Sequence, residues 1–277
     1  MSSRTRHALI TGGSRGIGLA IAQALSKQNY RCTLISRSES NLKAALSTLE
    51  PSSTPHRYIA GSISAPDFWS TPYFKENGLG KGEDESKIDV LVNCAGITQS
   101  RLFTTTPAED VQGIIDTNLT ALMLGTRFLL RHKYLSTTSR SRSEEAGKGF
   151  TPSIINVASL LGVSGGYGAV AYAASKAGVL GFTRALAGEY VGHGVRVNAI
   201  VPGYVESDMT KGRFSSALLC AGVVADEIDL NTSQLRERIP LKRFGTPEEI
   251  AHAALFLAEN QYAHNCVLNL DGGLSAV

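Results

Sequence analysis

The stretches DVLVN (89–93) and SIINVA (153–158) lack the polar–apolar alternation of a strand with one wet face. Strands of this kind must be covered on both sides, a condition met in a parallel sheet flanked by helices. The rest of the chain supplies the cover. HALIT (7–11) is followed by IGLAIAQALSKQN (17–29) at helical spacing, and RCTLIS (31–36) by ESNLKAALSTLE (39–50), which stops at Pro51. HRYIAG, IDVLVNCAG, PSIINVAS, VRVNAIVPG and CVLNLDGG read as further strands, with helical runs near 107–135, 170–190 and 247–259. Strand and helix in alternation predict an α/β fold with a doubly wound, Rossmann-like parallel sheet. With no internal repeat and no linker, residues 1–277 read as a single domain.

Two polar stretches break the rhythm, KENGLGKGEDESK (75–87) and STTSRSRSEEAGKG (136–149), and read as surface loop insertions. The composition excludes several classes of function. At 43% hydrophobic residues the chain can bury a sizeable core, and no apolar run approaches the roughly 18 residues of a membrane span. A formal charge of +3 is too small to argue for a nucleic-acid partner. Cys32, Cys94, Cys220 and Cys266 form no C-x-x-C pair and read as reduced thiols of an intracellular protein. The six histidines show no metal-ligand spacing, so no metal site is expected. The head MSSRTRH is basic and free of acids, in the manner of an organelle-targeting start but short for one. The compartment is left open between mitochondrion and cytoplasm.

The 28 glycines cluster first in TGGSRGIG (11–18), directly after the first strand and opening the first helix. A dinucleotide's pyrophosphate binds at this place in such folds, where glycines admit close backbone approach and a helix N-terminus favours negative charge. The candidate cradle comprises Gly12, Ser14, Arg15, Gly16, Ile17 and Gly18. The end of the second strand selects the coenzyme. An acid there would bind the ribose 2′-hydroxyl of NAD, yet LISRS offers Ser36 and Arg37. Arg15 and Arg37 together suit a 2′-phosphate, so NADP(H) is the expected coenzyme.

The second cluster, GAVAYAASKAG (168–178), holds Tyr172 and Lys176 one helical turn apart. Reduction of a ketone leaves an alkoxide that needs a proton. A phenol can give it, and a neighbouring ammonium stabilises the phenolate that remains. Ser159, at the end of the strand SIINVAS, offers a hydroxyl to a carbonyl oxygen.

TGGSRGIG, NCAG (93–96), TNLTA (117–121), Ser159, YAASK (172–176) and PGYVESDM (202–209) together make the chain resemble a short-chain dehydrogenase/reductase over nearly all its length. The resemblance implies a catalytic tetrad of Asn118, Ser159, Tyr172 and Lys176, with Asn118 holding a water that links Lys176 to solvent. It also implies that Asn93, Ala95 and Gly96 border the adenosine ribose. Ser62 and Ile63 would face the adenine, and Pro202, Gly203, Val205 and Ser207 the nicotinamide carboxamide. PGYVESDMT, IPLKRFGTPEEIAHAALFLAE and LNLDGG read much like 3-oxoacyl-[acyl-carrier-protein] reductases and their carbonyl reductase-like mitochondrial relatives. That likeness implies NADPH-dependent reduction of a 3-oxoacyl thioester, on acyl carrier protein or CoA, to the 3-hydroxyacyl thioester, by a homotetramer. Residues 206–238 would form the substrate lid.

The chain departs from the family pattern in places. Cys94 stands for the second asparagine of N-N-A-G, and Ser62 for the aspartate after strand three. AHN (263–265) replaces I-T-G, and His193 takes the place of a basic carrier-docking residue. Arg131, Lys133, Arg140, Arg142 and Lys148 are an alternative docking surface for an acidic carrier. Two other readings stay open: a carbonyl, quinone or pathway-specific ketone reductase, and a non-catalytic NADP(H)-binding partner subunit.

Overall fold

The structure, a computed structural model, describes residues 5–77, 79, 87–135, 150–206 and 233–277. The insertion at 136–149, most of 75–87, and residues 207–232 of the expected lid, with Ser207 and Cys220, lie outside the described residues.

Seven parallel strands form one sheet in the order β3-β2-β1-β4-β5-β6-β7. They are β1 (His7–Thr11), β2 (Arg31–Ser36), β3 (Arg57–Ala60), β4 (Val90–Asn93), β5 (Ser153–Val157), β6 (Arg196–Pro202) and β7 (Val267–Leu270). The helices are α1 (Gly16–Lys27), α2 (Glu39–Leu46), α3 (Thr71–Glu76), α4 (Ala108–Ile115), α5 (Ala121–Arg131), α6 (Leu161–Ser164), α7 (Val170–Tyr190) and α8 (Pro247–Glu259). The unalternating strands are buried on both faces, as their sequences require. Ala8, Ile10, Val90 and Val92 meet Ile21 and Leu25 of α1 and Ile250 and Leu257 of α8. Leu9, Leu91 and Ile154 face the other way, towards Phe74, Phe128 and Ala187. Strand order reverses between β1 and β4, which opens a crevice beyond their carboxyl ends.

Three local expectations change. The run 107–135 is not one helix: a π-helical turn, Asp116–Thr120, separates α4 from α5. The loop read for 75–87 yields at its start, where Lys75 and Glu76 end α3 and Leu79 is fully buried. Leu79 O accepts a hydrogen bond from the Tyr134 hydroxyl at 2.9 Å. The AHN departure is accommodated locally. Asn265 takes the left-handed φ of 56° that glycine would otherwise supply. His264 Nδ1 accepts from Val197 N–H, so its Nε2 donates to Ala187 O at 3.0 Å.

Helix α8 is tied at both ends. Its N-terminus is a capping box in which Glu249 N–H donates to Thr246 Oγ1 and Thr246 N–H to Glu249 Oε2. Arg243 grips the same carboxylate with both Nη atoms, at 2.8 and 2.6 Å. At the C-terminus the buried Arg196 guanidinium donates to Leu257 O, Ala258 O, Ala263 O and Thr151 O. Burial lowers the Arg196 pKa to about 10, so it stays charged at neutral pH beside the negative end of the helix dipole.

Arg196→Met is expected to strand these carbonyls and cost about 3 kcal/mol, a fall in Tm of roughly 6–12 °C. Thermal unfolding tests it, and a shift below about 1 °C refutes the capping role. The hydrogen bonds from Arg243, then that from Thr246, hold the Glu249 carboxyl down to about 2. This carboxylate is more acidic folded than unfolded, so its stabilisation is complete above the ordinary carboxylate range. It drains away as pH falls from about 4.5 towards 2. Tm measured across that window should fall more steeply in wild type than in Glu249→Gln; parallel profiles would refute the linkage.

Candidate functional site

The crevice is made by a close meeting of two loops. Thr11 Oγ1, at the end of β1, accepts from the N–H groups of Cys94 and Ala95 after β4, at 3.1 and 3.2 Å. Gly12 follows with φ +71°, and a Cβ there would stand 2.8 Å from Ala95 Cα. A Cβ on Gly18 would lie 2.3 Å from Gly12 O. Only glycine permits this packing, and it brings the N-terminus of α1 to the crevice floor. No side chain caps α1, and its first turn carries no acid, so its leading N–H groups are left for an anion.

The space enclosed is about 430 Å³. Gly12, Ser14, Arg15, Gly16, Ile17 and Gly18 line one end, with Arg37, Ser62 and Ile63 beyond β2 and β3. Ala95, Gly96, Pro202, Gly203 and Val205 line the middle, and Ser159, Tyr172 and Lys176 the far wall. The lining fits an extended dinucleotide. Glycines stand where a Cβ would intrude, the capless helix faces the midpoint, and Ser36 Oγ is buried without a hydrogen-bond partner beside the arginine end.

The reactive side chains come from two places in the fold. Ser159 follows β5, and its Oγ accepts from Leu161 N–H at 3.2 Å, which leaves its own O–H to offer to the crevice. Tyr172 and Lys176 sit on the first turns of α7. Lys176 is 5% exposed, and its ammonium donates to Val157 O at 2.8 Å and lies 5.8 Å from the Tyr172 ring centroid. Cys94 is a half-buried lining residue whose thiol is pushed up to about 11, because burial outweighs the opposing charge of Lys176. It stays a neutral thiol.

The side chains of the two expected asparagines turn away from the crevice. Asn93 does not line the crevice. It is 4% exposed, and its amide donates to Asn156 Oδ1 at 2.8 Å and Thr126 Oγ1 at 3.1 Å. Asn93 and Asn156 are register partners in adjacent parallel strands, so their side chains share a face and pair beneath α5 and α7. Asn118 is fully buried behind the crevice wall in the π-helical turn. Its Oδ1 accepts from Ile97 N–H, and its Nδ2 donates to Ile97 O and Ser175 Oγ. The side chain is therefore a clamp on the β4 loop. Gly96 lies between it and the ammonium: a Cβ there would stand 3.2 Å from Asn118 Oδ1 and 3.6 Å from Lys176 Nζ.

The sequence reading missed Ser38, Asn41, Ile97, Thr98, Leu161 and Tyr204, all of which line the crevice. One signal was available for Asn41. Ser38 is a helix-starting residue, and its Oγ accepts from Asn41 N–H. That cap sets the first turn of α2 beside Arg37. Among the described residues no cluster of histidine, cysteine or acid is arranged for a metal, and no helix is long and apolar enough to cross a membrane.

The sequence pattern described as short chain dehydrogenase matches residues 6–217. A human protein named 3-oxoacyl-[acyl-carrier-protein] reductase is 35% identical over 269 residues, 97% of each chain. A Xenopus laevis protein named carbonyl reductase family member 4 is 33% identical over 267 residues, 96% of each. Among solved structures, ligand-free aldohexose dehydrogenase of Thermoplasma acidophilum is similar at a TM-score of 0.75 and 28% identity. The match covers 99% of this chain and 95% of that one.

Proposed function

The chain belongs to the short-chain dehydrogenase family of oxidoreductases, which bind a nicotinamide coenzyme, and we propose that it is an NADPH-dependent ketoreductase acting on 3-oxoacyl thioesters. The observation that carries the reading is the crevice itself: Ser159, Tyr172 and Lys176 stand on one wall, in line with the glycine cradle. When bound, the coenzyme supplies the hydride that reduces the carbonyl carbon. Ser159 O–H donates to the carbonyl oxygen and strengthens its hold as negative charge gathers there. The Tyr172 hydroxyl gives that oxygen its proton, and the Lys176 ammonium stabilises the phenolate left behind. The Asn118 side chain is spent on Ile97 and Ser175, so a relay to solvent through this residue runs by its main chain.

Arg15 and Arg37 are exposed at the adenosine end, and no acid stands at the end of β2. This supports NADPH over NADH, with Ser62 and Ile63 against the adenine. Ser207, proposed for the carboxamide end, lies outside the described residues. The thioester substrate rests on the human relative's name and on Ile97, Leu160 and Leu161, which give the catalytic end an apolar border. Exposed Arg131 and Lys133 at the end of α5 are the described part of a docking face for an acidic carrier; Arg140, Arg142 and Lys148 lie outside the described residues. Exposed Leu124 on α5, Phe256 on α8 and the half-exposed edge strand β7 support assembly as a homotetramer.

Tyr172→Phe is expected to lower kcat on acetoacetyl-CoA about 10²- to 10⁴-fold and leave the Kd for NADPH unchanged. Retained turnover would sink the catalytic assignment. Wild-type inactivity on thioester, quinone and simple ketone alike would favour a partner-subunit role, and a quinone turned over far better than the thioester would move the substrate class. Arg37→Asp should weaken NADPH about 100-fold while sparing NADH. Equal affinity for both coenzymes in wild type would overturn the adenosine-end reading.

A further inference from the structure

Helix α7 carries two of the three reactive residues of the far wall, Tyr172 and Lys176, yet it starts without a cap of its own. Its N-cap position is Ala169, which has no side chain to accept an orphan N–H. The ladder within the helix begins at Ala173 N–H, which reaches Ala169 O. The Ala171 N–H, one residue before Tyr172, is taken from outside the helix. Its acceptor is Gln99 Oε1, at 2.9 Å, from the loop that follows β4. Gln99 is 2% exposed, and its Nε2 donates to Arg101 O at 2.7 Å. The amide orientation is therefore fixed from both sides, and no water competes for the acceptor.

The same loop is gripped two residues earlier. Asn118 holds both the N–H and the C=O of Ile97. It also donates to Ser175 Oγ, which in turn donates to Tyr172 O at 2.7 Å. The backbone around Tyr172 is thus held at two points. Gln99 takes the N–H before it, and the Asn118–Ser175 chain takes its own carbonyl. Both restraints converge on residues 97–99.

We propose that Gln99 is a positioning residue: its carboxamide latches the first turn of α7 to the β4 loop and so fixes where the Tyr172 hydroxyl meets the substrate. Gln99 does not line the crevice and does no chemistry; its effect passes through Ala171 to Tyr172. The inference rests on the ketoreductase reading for its kinetic consequence, while the latch itself is a statement about α7 and has its own readout. A shift of about 1 Å in a catalytic group costs up to roughly 10²-fold in rate. Loss of the latch should therefore appear in kcat, with coenzyme affinity and the KM for the carbonyl substrate held.

Gln99→Ala, Gln99→Leu and Gln99→Glu separate the alternatives. Glutamate keeps an oxygen that can accept from Ala171 N–H but gives up the donor to Arg101 O. The expected result is a fall in kcat of about 10- to 100-fold for Ala and Leu, with Kd for NADPH and KM within about twofold, and recovery of most of the rate in Glu. Amide hydrogen exchange in residues 169–175 should quicken in Ala and Leu and return towards wild type in Glu. Unchanged exchange in this segment overturns the latch, whatever the activity. Quickened exchange with wild-type kcat overturns the positioning role while Tyr172→Phe still reports on the reductase reading. A uniform loss of Tm, coenzyme affinity and rate in all three variants would make Gln99 merely structural and also overturn it.

Discussion

Everything in the crevice depends on one seam, the meeting of the β1 and β4 loops. Two parallel strands adjacent in space but distant in sequence send their chains to opposite faces of the sheet, and the gap between them must be closed at close quarters. The Thr11 hydroxyl does this by accepting two consecutive N–H groups, of Cys94 and Ala95. Gly12 can lie against Ala95 only because it has no Cβ and tolerates φ +71°. A bulkier residue would part the loops, and with them the capless end of α1 from the wall that bears Tyr172. The candidate phosphate cradle and the proposed catalytic wall are thus two sides of one contact.

From that seam the polar motif residues act as joinery more than as ligands. Asn93 links through Asn156 to Thr183 on α7, and directly to Thr126 on α5. The ladder is almost wholly buried, so each member needs its partner, and it fixes how the two helices sit on the sheet. Asn118 works at the next level out, and the π-helical turn is what lets it. In an unbroken helix over 107–135 the residue would follow the α-helical rotation. The widened turn breaks that rotation between α4 and α5, where Asn118 meets the Ile97 backbone. Such a turn costs helical regularity and is kept where a side chain is needed off the regular path.

The sequence showed the frame and half of the site. Helices α7 and α8 match the runs read near 170–190 and 247–259, and Pro247 at the first position of α8 and the Thr246–Glu249 box are start signals written in the chain. Tyr172, Lys176 and Ser159 were readable because i and i+4 on a helix and the end of a strand leave little freedom in where a side chain goes. Asn93 was not: at the end of a strand buried on both faces, the same amide can serve a ligand or a neighbouring strand, and only the register with Asn156 decides. Gln99 was invisible for a different reason. Its partner, Ala171 N–H, lies 72 positions away, and no periodicity connects a loop to a distant helix start. Asn265 shows the converse, since a departure from glycine is harmless where asparagine can take the same left-handed backbone.

These arrangements meet a general difficulty of proton donors in clefts. A side chain that must touch substrate on one side and a bound coenzyme on the other has no free flank by which the protein can hold it. On the proposed reading Tyr172 is such a residue, and it is part-exposed on the crevice wall. Its placement must come from the backbone beneath it, and the restraints from Gln99 and Ser175 are of that kind. Ala171 N–H is held by Gln99, Tyr172 O by Ser175, and Lys176 is drawn to Val157 O on β5. The proposed adenosine end follows the opposite logic, with exposed Arg15 and Arg37 offering charge on long, adaptable side chains. Charge in solvent discriminates between coenzymes at the cost of sensitivity to salt; buried hydrogen bonds hold geometry regardless of it. On the proposed reading the two ends of the crevice therefore rely on different forces, adjustable electrostatics where a phosphate would be recognised and fixed backbone where a proton would be delivered.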